Sequence, residues 1–237
     1  MSVEVSAETE VFGLDTDGWA ITFFTARIRP TPIDDDTRQR LWAAIVALRD
    51  AGWRTSIAEM FTTTDDVSVY RAGFAHDIDF VGAFEAPTLA EAHAGIERLE
   101  KAGWDAMFET SWIVGRREFL PVHSTIGRNP DSPWAYFALW EWNDAWQAAT
   151  PHERAEYDIE CDEAFSSDVG SGISIAGRHR FDPASSWHHL GIWEVPDLAL
   201  LDHAMGMHEK VADFKFTTSR HYIGRKHSLS DILGVHR

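Results

Sequence analysis

The chain has one cysteine in 237 residues, so it cannot form an internal disulfide. No CxxC pair or Cys/His zinc spacing accompanies it, which excludes a disulfide scaffold and fits a reducing compartment. No run approaches the roughly 18 apolar residues of a membrane span. The opening "MSVEVSAETE" lacks both a basic n-region and an apolar h-region, so the expectation is a cytoplasmic protein with no membrane partner. Basic residues are scarce as well. Against 38 Asp and Glu stand 21 Lys and Arg, a net charge of −17 that repels nucleic acid and anionic lipid. The basic clusters Arg116-Arg117, Arg178-His179-Arg180 and Arg225-Lys226-His227 suit one small anion and are too short for a duplex. No GxGxxG follows a strand, and neither GxxxxGK[ST] nor GxSxG occurs, which removes Rossmann, P-loop and common serine-hydrolase chemistry. What remains is an ordinary globular composition, 44% hydrophobic and 25% charged, with length for one large or two small cores.

The sequence repeats itself. "FEAPTL" (84–89) is answered by "WEVPDL" (193–198) and "VGRRE" (114–118) by "IGRKH" (223–227), while "GWAIT" at 18 is echoed by "PWAYF" at 133, matching Trp19 with Trp134. Glu85/Glu194, Pro87/Pro196, Leu89/Leu198, Gly115/Gly224 and Arg116/Arg225 keep one offset, so the similarity is ordered along the chain. Two copies of one unit are expected, 17–119 and 132–228, joined by the turn-rich "PVHSTIGRNPDS".

Each copy reads strand, helix, strand, strand, helix, strand. In the first, "WAITFFTARI" alternates as a strand, and "DDTRQRLWAAIVALRDAG" places Leu41, Ile45 and Leu48 on one helical face before Gly52 stops it. "SVYRAGFAHDIDFVGAFEA" supplies two strands. Thr88 and Glu91 form a capping box for a helix striped by Leu89, Ala92, Ile96 and Leu99, and "AMFETSWIVGRREF" closes the unit. In the second, "WAYFALWEW" is a strand and Thr150-Pro151-His152-Glu153 a capping box with proline at the first helical position. That helix is expected to run to about Ser167; "VGSGIS" then releases the chain into a strand, and Asp197 caps a last helix striped by Leu198, Leu201, Met205 and His208. The βαββαβ order is the ferredoxin-like unit, and two in tandem cover each other's exposed sheet faces. The fold class is therefore α+β, a barrel of the dimeric-α/β-barrel type made within one chain from duplicated ferredoxin-like units.

The copies differ where a site would be. Trp134, Trp140, Trp142, Trp146, Trp187 and Trp193 all fall in the second, and Trp134, Tyr136, Trp140 and Trp142 share one strand face. Such a wall suits a flat apolar ligand or simply fills a core. His208 stands where the first copy has Leu99, as a ligand, a general base or a buried histidine bonded to a carbonyl. Cys161 shares a helical face with Tyr157, Ala164 and Phe165, flanked by carboxylates that disfavour a thiolate. The carboxylates Glu156, Glu160 and Glu163 line one face without accompanying HxxxH or ExxH spacing, so they read as a solvated face rather than a metal site. "RHRF" and "SWHHLG" carry His179 and His189, which adjacent strands could bring together.

With these features the chain resembles the tandem-repeat branch of the dimeric α/β barrel superfamily, which holds chlorite dismutases, coproheme decarboxylases and, more distantly, aldoxime dehydratases. The closer likeness lies in "AWQAATPHERAEYDIECDEAF", where coproheme decarboxylases carry a similar Trp, Pro and Glu-Arg, here Trp146, Pro151 and Glu153-Arg154. The resemblance implies haem as a candidate cofactor. It also implies an axial ligand on that helix at the position of Cys161, where those enzymes carry histidine: either a thiolate holds the haem iron in its place, or the cavity serves another ligand. The decarboxylase's tyrosine motif is absent, Trp134 and Tyr136 occupying that strand.

Three readings stand side by side. The first is an enzyme acting oxidatively or dehydratively on a small, largely apolar or aromatic molecule in the second copy. In its haem form Cys161 or His208 is axial, Trp140 and Trp142 flank the ring, and Arg178 or Arg180 pairs a propionate. The second is a cofactor-independent monooxygenase, cyclase or dehydratase with His208, or His179 with His189, as acid or base. The third is a non-catalytic binder of a small ligand. A homo-oligomer is compatible with all three.

Overall fold

The computed structural model describes residues 12–14, 17–57, 67–72, 77–121, 132–181, 185–211 and 213–235. The first unit comprises β2 (Ala20–Ile28), α1 (Asp35–Asp50), β3 (Ser68–Arg71), β4 (Phe80–Ala86), α2 (Leu89–Ala102), α3 (Trp104–Met107) and β5 (Phe108–Pro121), preceded by a short β1 (Phe12–Leu14). The second comprises β6 (Trp134–Trp142), α4 (Asp144–Ala148), α5 (Pro151–Gly170), β7 (Ser174–Arg180), β8 (His189–Val195), α6 (Leu198–His208), α7 (Asp213–Phe216) and β9 (Thr217–Ser228), followed by α8 (Leu229–Leu233). The joining segment falls at 122–131, outside the described residues.

The expected caps are formed. Thr88 accepts from the Glu91 amide, Thr150 and Glu153 make a reciprocal capping box ahead of Pro151, and Asp197 accepts from Leu200. Helix α5 runs one turn past the expected Ser167, and that turn brings Asp168 onto the buried face already set by Tyr157, Cys161 and Ala164. Leu198, counted in the apolar stripe of α6, is instead 40% exposed.

All the strand pairs are antiparallel, in the order β1-β5-β2-β4-β3-β9-β6-β8-β7, and β5 also pairs β7. The last pairing closes β2 to β9 into a barrel. Within each unit the sheet has the ferredoxin-like order, and the units join where strand two of one meets strand four of the other, as β3 with β9 and β7 with β5. Two sheets merely stacked would keep four edges; closure pairs these edges and leaves β1 as an outlying strand on β5.

The inner faces form one core that includes Ile21, Phe23, Val81, Phe137, Ile192 and Tyr222. Two glutamates from the duplicated motif point into this interior. Glu85 lies between Arg117 at 3.3 Å, Arg54 at 2.9 Å and His179 at 3.6 Å, and Glu194 accepts from the Tyr70 hydroxyl at 2.9 Å with Lys226 at 4.0 Å. Each glutamate thus takes a partner from the other unit, and this exchange ties the halves together. Burial would raise the Glu85 pKa, but the His179 hydrogen bond and the charges of Arg117, His179 and Arg54 hold it below the usual glutamate value.

Pairing fixes how the copies superpose. Ile21 lies opposite Glu85 and Gly115, and Ala135 opposite Glu194 and Gly224, so Ile21 corresponds to Ala135 and Ala20, not Trp19, to Trp134. The likeness of "GWAIT" to "PWAYF" is out of register by one residue, which in a strand is the difference between opposite faces. Trp19 lies under the Arg54 guanidinium at 3.8 Å, whereas Trp134 packs on the helix side of the second unit.

Candidate functional site

In the first unit the space between sheet and helices is solid. Phe24 lies 4.9 to 5.4 Å from the rings of Phe84, Trp104 and Trp112, and Phe80 and Phe108 complete the cluster at 5.1 Å from each other. The Phe24 ring covers Gly82 so closely that a Cβ there would stand 2.4 Å from it. On the shared register Phe24 becomes Ala138, Phe80 becomes His189, Phe84 becomes Trp193, Phe108 becomes Thr217 and Trp112 becomes His221. From the helix side Leu99 becomes His208, and Ile45, counted from the N-caps Asp34 and Thr150, becomes Cys161. Ring volume has been withdrawn and polar groups put in its place.

The result is an open cavity of about 420 Å³ between the outer face of the second sheet and helices α5 and α6. Its floor is low where Ala138, Gly191, Gly177 and Ser219 present small side chains or none. Gly177 has φ +121 at a β-bulge between β7 and β8, a conformation that L side chains rarely adopt. Walls come from Trp140, Trp142, Trp193, Tyr136, Tyr157 and Phe165, and Phe214, 39% exposed, stands at the entrance. Trp142 is stacked on Trp146 with centroids 4.1 Å apart, and Trp140 on His189 at 5.0 Å, so the tryptophan walls are braced from behind. A low floor between aromatic walls suits a flat molecule, in a volume usual for small-molecule sites.

Of the residues singled out from sequence, Cys161, Trp140, Trp142, Arg178 and His208 all line this cavity. Cys161 is 8% exposed on the inner face of α5. His208 is buried; its Nε2 is 2.8 Å from Asp168 Oδ2, its Nδ1 has no accessible surface, and its ring lies 5.0 Å from Phe165 and 5.5 Å from Trp193. The Arg178 guanidinium donates to Glu118 at 2.9 Å, and His189 Nε2 is 3.8 Å from the same carboxylate. His189 therefore supports Trp140 and is not among the lining residues. Arg180 is exposed at the end of β7 and does not line the cavity. His179 and His189 do sit on neighbouring strands, but on opposite faces, His179 inside the barrel beside Glu85 and His189 on the helix side beside Trp140.

Asp158, Asp162 and Asp168 gain importance from the structure. Asp158 and Asp162, two of the carboxylates that flank Cys161 in sequence, line the cavity from α5. Burial of its inner side raises the Asp158 pKa above the usual aspartate value, with Arg178 opposing the shift. Asp168 was legible in principle: it follows Tyr157, Cys161 and Ala164 at helical spacing, a carboxylate on an apolar stripe. Among the described residues no three His, Cys, Asp or Glu side chains converge to hold a metal ion, and no helix is long and apolar enough to cross a membrane.

No protein-family model matches the chain, and no curated protein matches it by sequence. Solved structures do. A haem-binding protein from Thermus thermophilus superposes with a TM-score of 0.68 at 14% identity, covering 92% of this chain and 96% of that one. A chlorite dismutase variant from Candidatus Nitrospira defluvii gives 0.66 at 13% identity, covering 93% and 96%. With its duplicated units, closed barrel and overlay along nearly the whole length, the chain has the fold of the chlorite dismutases.

Proposed function

We propose that the second-unit cavity is the active site of an enzyme that acts on a small, flat, largely apolar molecule by proton transfer and without haem. The observation that carries this reading is the emptied core, Ala138 and Thr217 standing where the first unit packs Phe24 and Phe108. Removing a buried ring costs about 3–5 kcal/mol in a typical core. A bound ligand that refills the space offsets that loss.

Haem is the cofactor suggested by the fold, since a structure sharing it is described as haem-binding. The cavity's shape admits a flat ring, but its donor set does not match. Cys161 is the thiol lining the cavity, and the carboxylates of Asp158 and Asp162, which line it too, disfavour the thiolate that iron would need. His208 lines the cavity with Nε2 held by Asp168 at 2.8 Å and Nδ1 without accessible surface, so neither nitrogen is offered to iron as the side chain stands. Arg178, the arginine in the lining, is already engaged by Glu118, so two propionates would meet more carboxylate than guanidinium.

Asp158 then becomes the candidate acid–base group, a carboxyl with a raised pKa at the edge of an apolar space. Arg178, whose charge opposes that rise, tempers it. His208 and His189 act by position, fixing α6 against α5 and Trp140 against the sheet. Dehydration, isomerisation and cyclisation all fall within proton transfer on a bound substrate.

The test is incubation of the purified protein with a metabolite extract, followed by mass spectrometry. At least one flat, apolar compound should be consumed by the wild-type protein and spared by Asp158→Asn. Equal consumption by both proteins would contradict the assignment. A compound held by the protein yet never converted would identify a binding protein instead.

A further inference from the structure

The cavity changes character along its depth. At the inner end lie Trp193, Ile175 and Cys161, all buried, above the small residues Ala138 and Gly191. At the entrance stand Asp158, exposed, and Asp162, partly exposed, one helical turn apart on α5. Residues at that spacing have Cβ atoms about 5–6 Å apart, so one small cation can touch both carboxylates. Arg178 is the arginine of the lining, and Glu118 accepts its Nε–H at 2.9 Å.

These features sort the ligands that could enter. An anionic group at the entrance would face Asp158 and Asp162, with its attraction to Arg178 reduced by Glu118. A cation would gain the two carboxylates. We infer that the substrate is a flat aromatic molecule bearing a protonated amine, its ring seated over Ala138 and Gly191 and its ammonium between Asp158 and Asp162. This rests on the reading of the cavity as a small-molecule site and adds the class of molecule that fills it. The raised pKa of Asp158 is in keeping with a carboxylate that lacks full compensation until a cation arrives.

Three probes of one ring system test the inference: tryptamine, indole and indole-3-propionate, titrated by calorimetry into the intact protein at neutral pH. Two half-exposed ion contacts of about 0.5–1 kcal/mol each correspond to roughly tenfold in affinity, so tryptamine should bind about tenfold tighter than indole and indole-3-propionate weakest. In Asp158→Asn/Asp162→Asn the advantage of tryptamine should vanish while indole binding stays within about twofold, because an exposed charge contributes little to ring burial. Indole-3-propionate binding as tightly as tryptamine, or tryptamine keeping its advantage in the double variant, would overturn the amine assignment and leave the cavity reading standing. Failure of all three probes to bind would overturn both.

Discussion

His208 Nε2 and Asp168 Oδ2 meet at 2.8 Å with both side chains almost wholly buried, and the bond fastens α6 to the last turn of α5 behind the cavity. The first unit has Leu99 in place of this histidine. Its helix α1 ends at Asp50, a turn short of the length that carries Asp168. The pair is thus an addition of the second unit, made where its ring packing was lost.

Removing one member should be much worse than removing both. His208→Leu leaves the Asp168 carboxylate buried without its imidazole partner, and breaking a buried pair typically costs about 3–5 kcal/mol. His208→Leu combined with Asp168→Ala should recover much of that loss, since it removes the stranded charge as well. Urea denaturation of the two variants measures the difference. Additive losses would mean that the bond contributes no coupling.

The Glu85 network makes a prediction about pH. Its carboxyl is held below the usual glutamate value in the folded chain, so the folded state binds that proton less readily than the unfolded one. The stability this supplies is complete above the unfolded value of about 4.3 and is lost as pH falls through the lower, folded value. Glu85→Gln should therefore be clearly less stable than wild type at neutral pH, and the gap should shrink in acid. Melting temperatures from neutral pH downward give the comparison; a gap that widens in acid would contradict it.

Haem uptake offers a third check. The purified protein should show no Soret band, and added haemin should bind no differently in Cys161→Ser than in wild type, because the thiol shares the cavity with the carboxylates of Asp158 and Asp162. A stoichiometric Soret band that shifts on replacing Cys161 would restore the thiol as an axial ligand and overturn the haem-free account.

Much of the fold was legible because the duplicated segments carry structural duties. Glu85 and Glu194 recur at one spacing with Gly115 and Gly224 because each set closes the same part of the barrel, and the caps Thr88, Thr150 and Asp197 are local signals read without tertiary knowledge. Closure of the barrel was not legible, since the pairing of β5 with β7 and of β3 with β9 joins strands far apart in the chain. The same holds for register: Trp19 and Trp134 look alike in sequence, yet only cross-strand partners reveal that they are one residue out of step. For the candidate site, the aromatic wall and the exchange of Leu99 for His208 pointed to the unit that holds the cavity and to several residues that line it. What periodicity could not supply was direction, namely that Asp158 and Asp162 turn to the cavity, that both nitrogens of His208 are buried with Nε2 on Asp168, and that His179 and His189 take opposite faces.

The central claim is that the second unit functions through space its twin has filled, and the most direct measurement is substrate consumption and thermal stability of Ala138→Phe. The first unit already accommodates Phe24 over Gly82 at this position, and in the second Gly191 again lies opposite, with the Trp140 and Trp193 rings beside it. The variant should therefore fold with a melting temperature at or near that of wild type, while binding of indole and consumption of the substrate are lost. A stably folded Ala138→Phe that binds and converts its substrate as well as wild type would place the active site elsewhere.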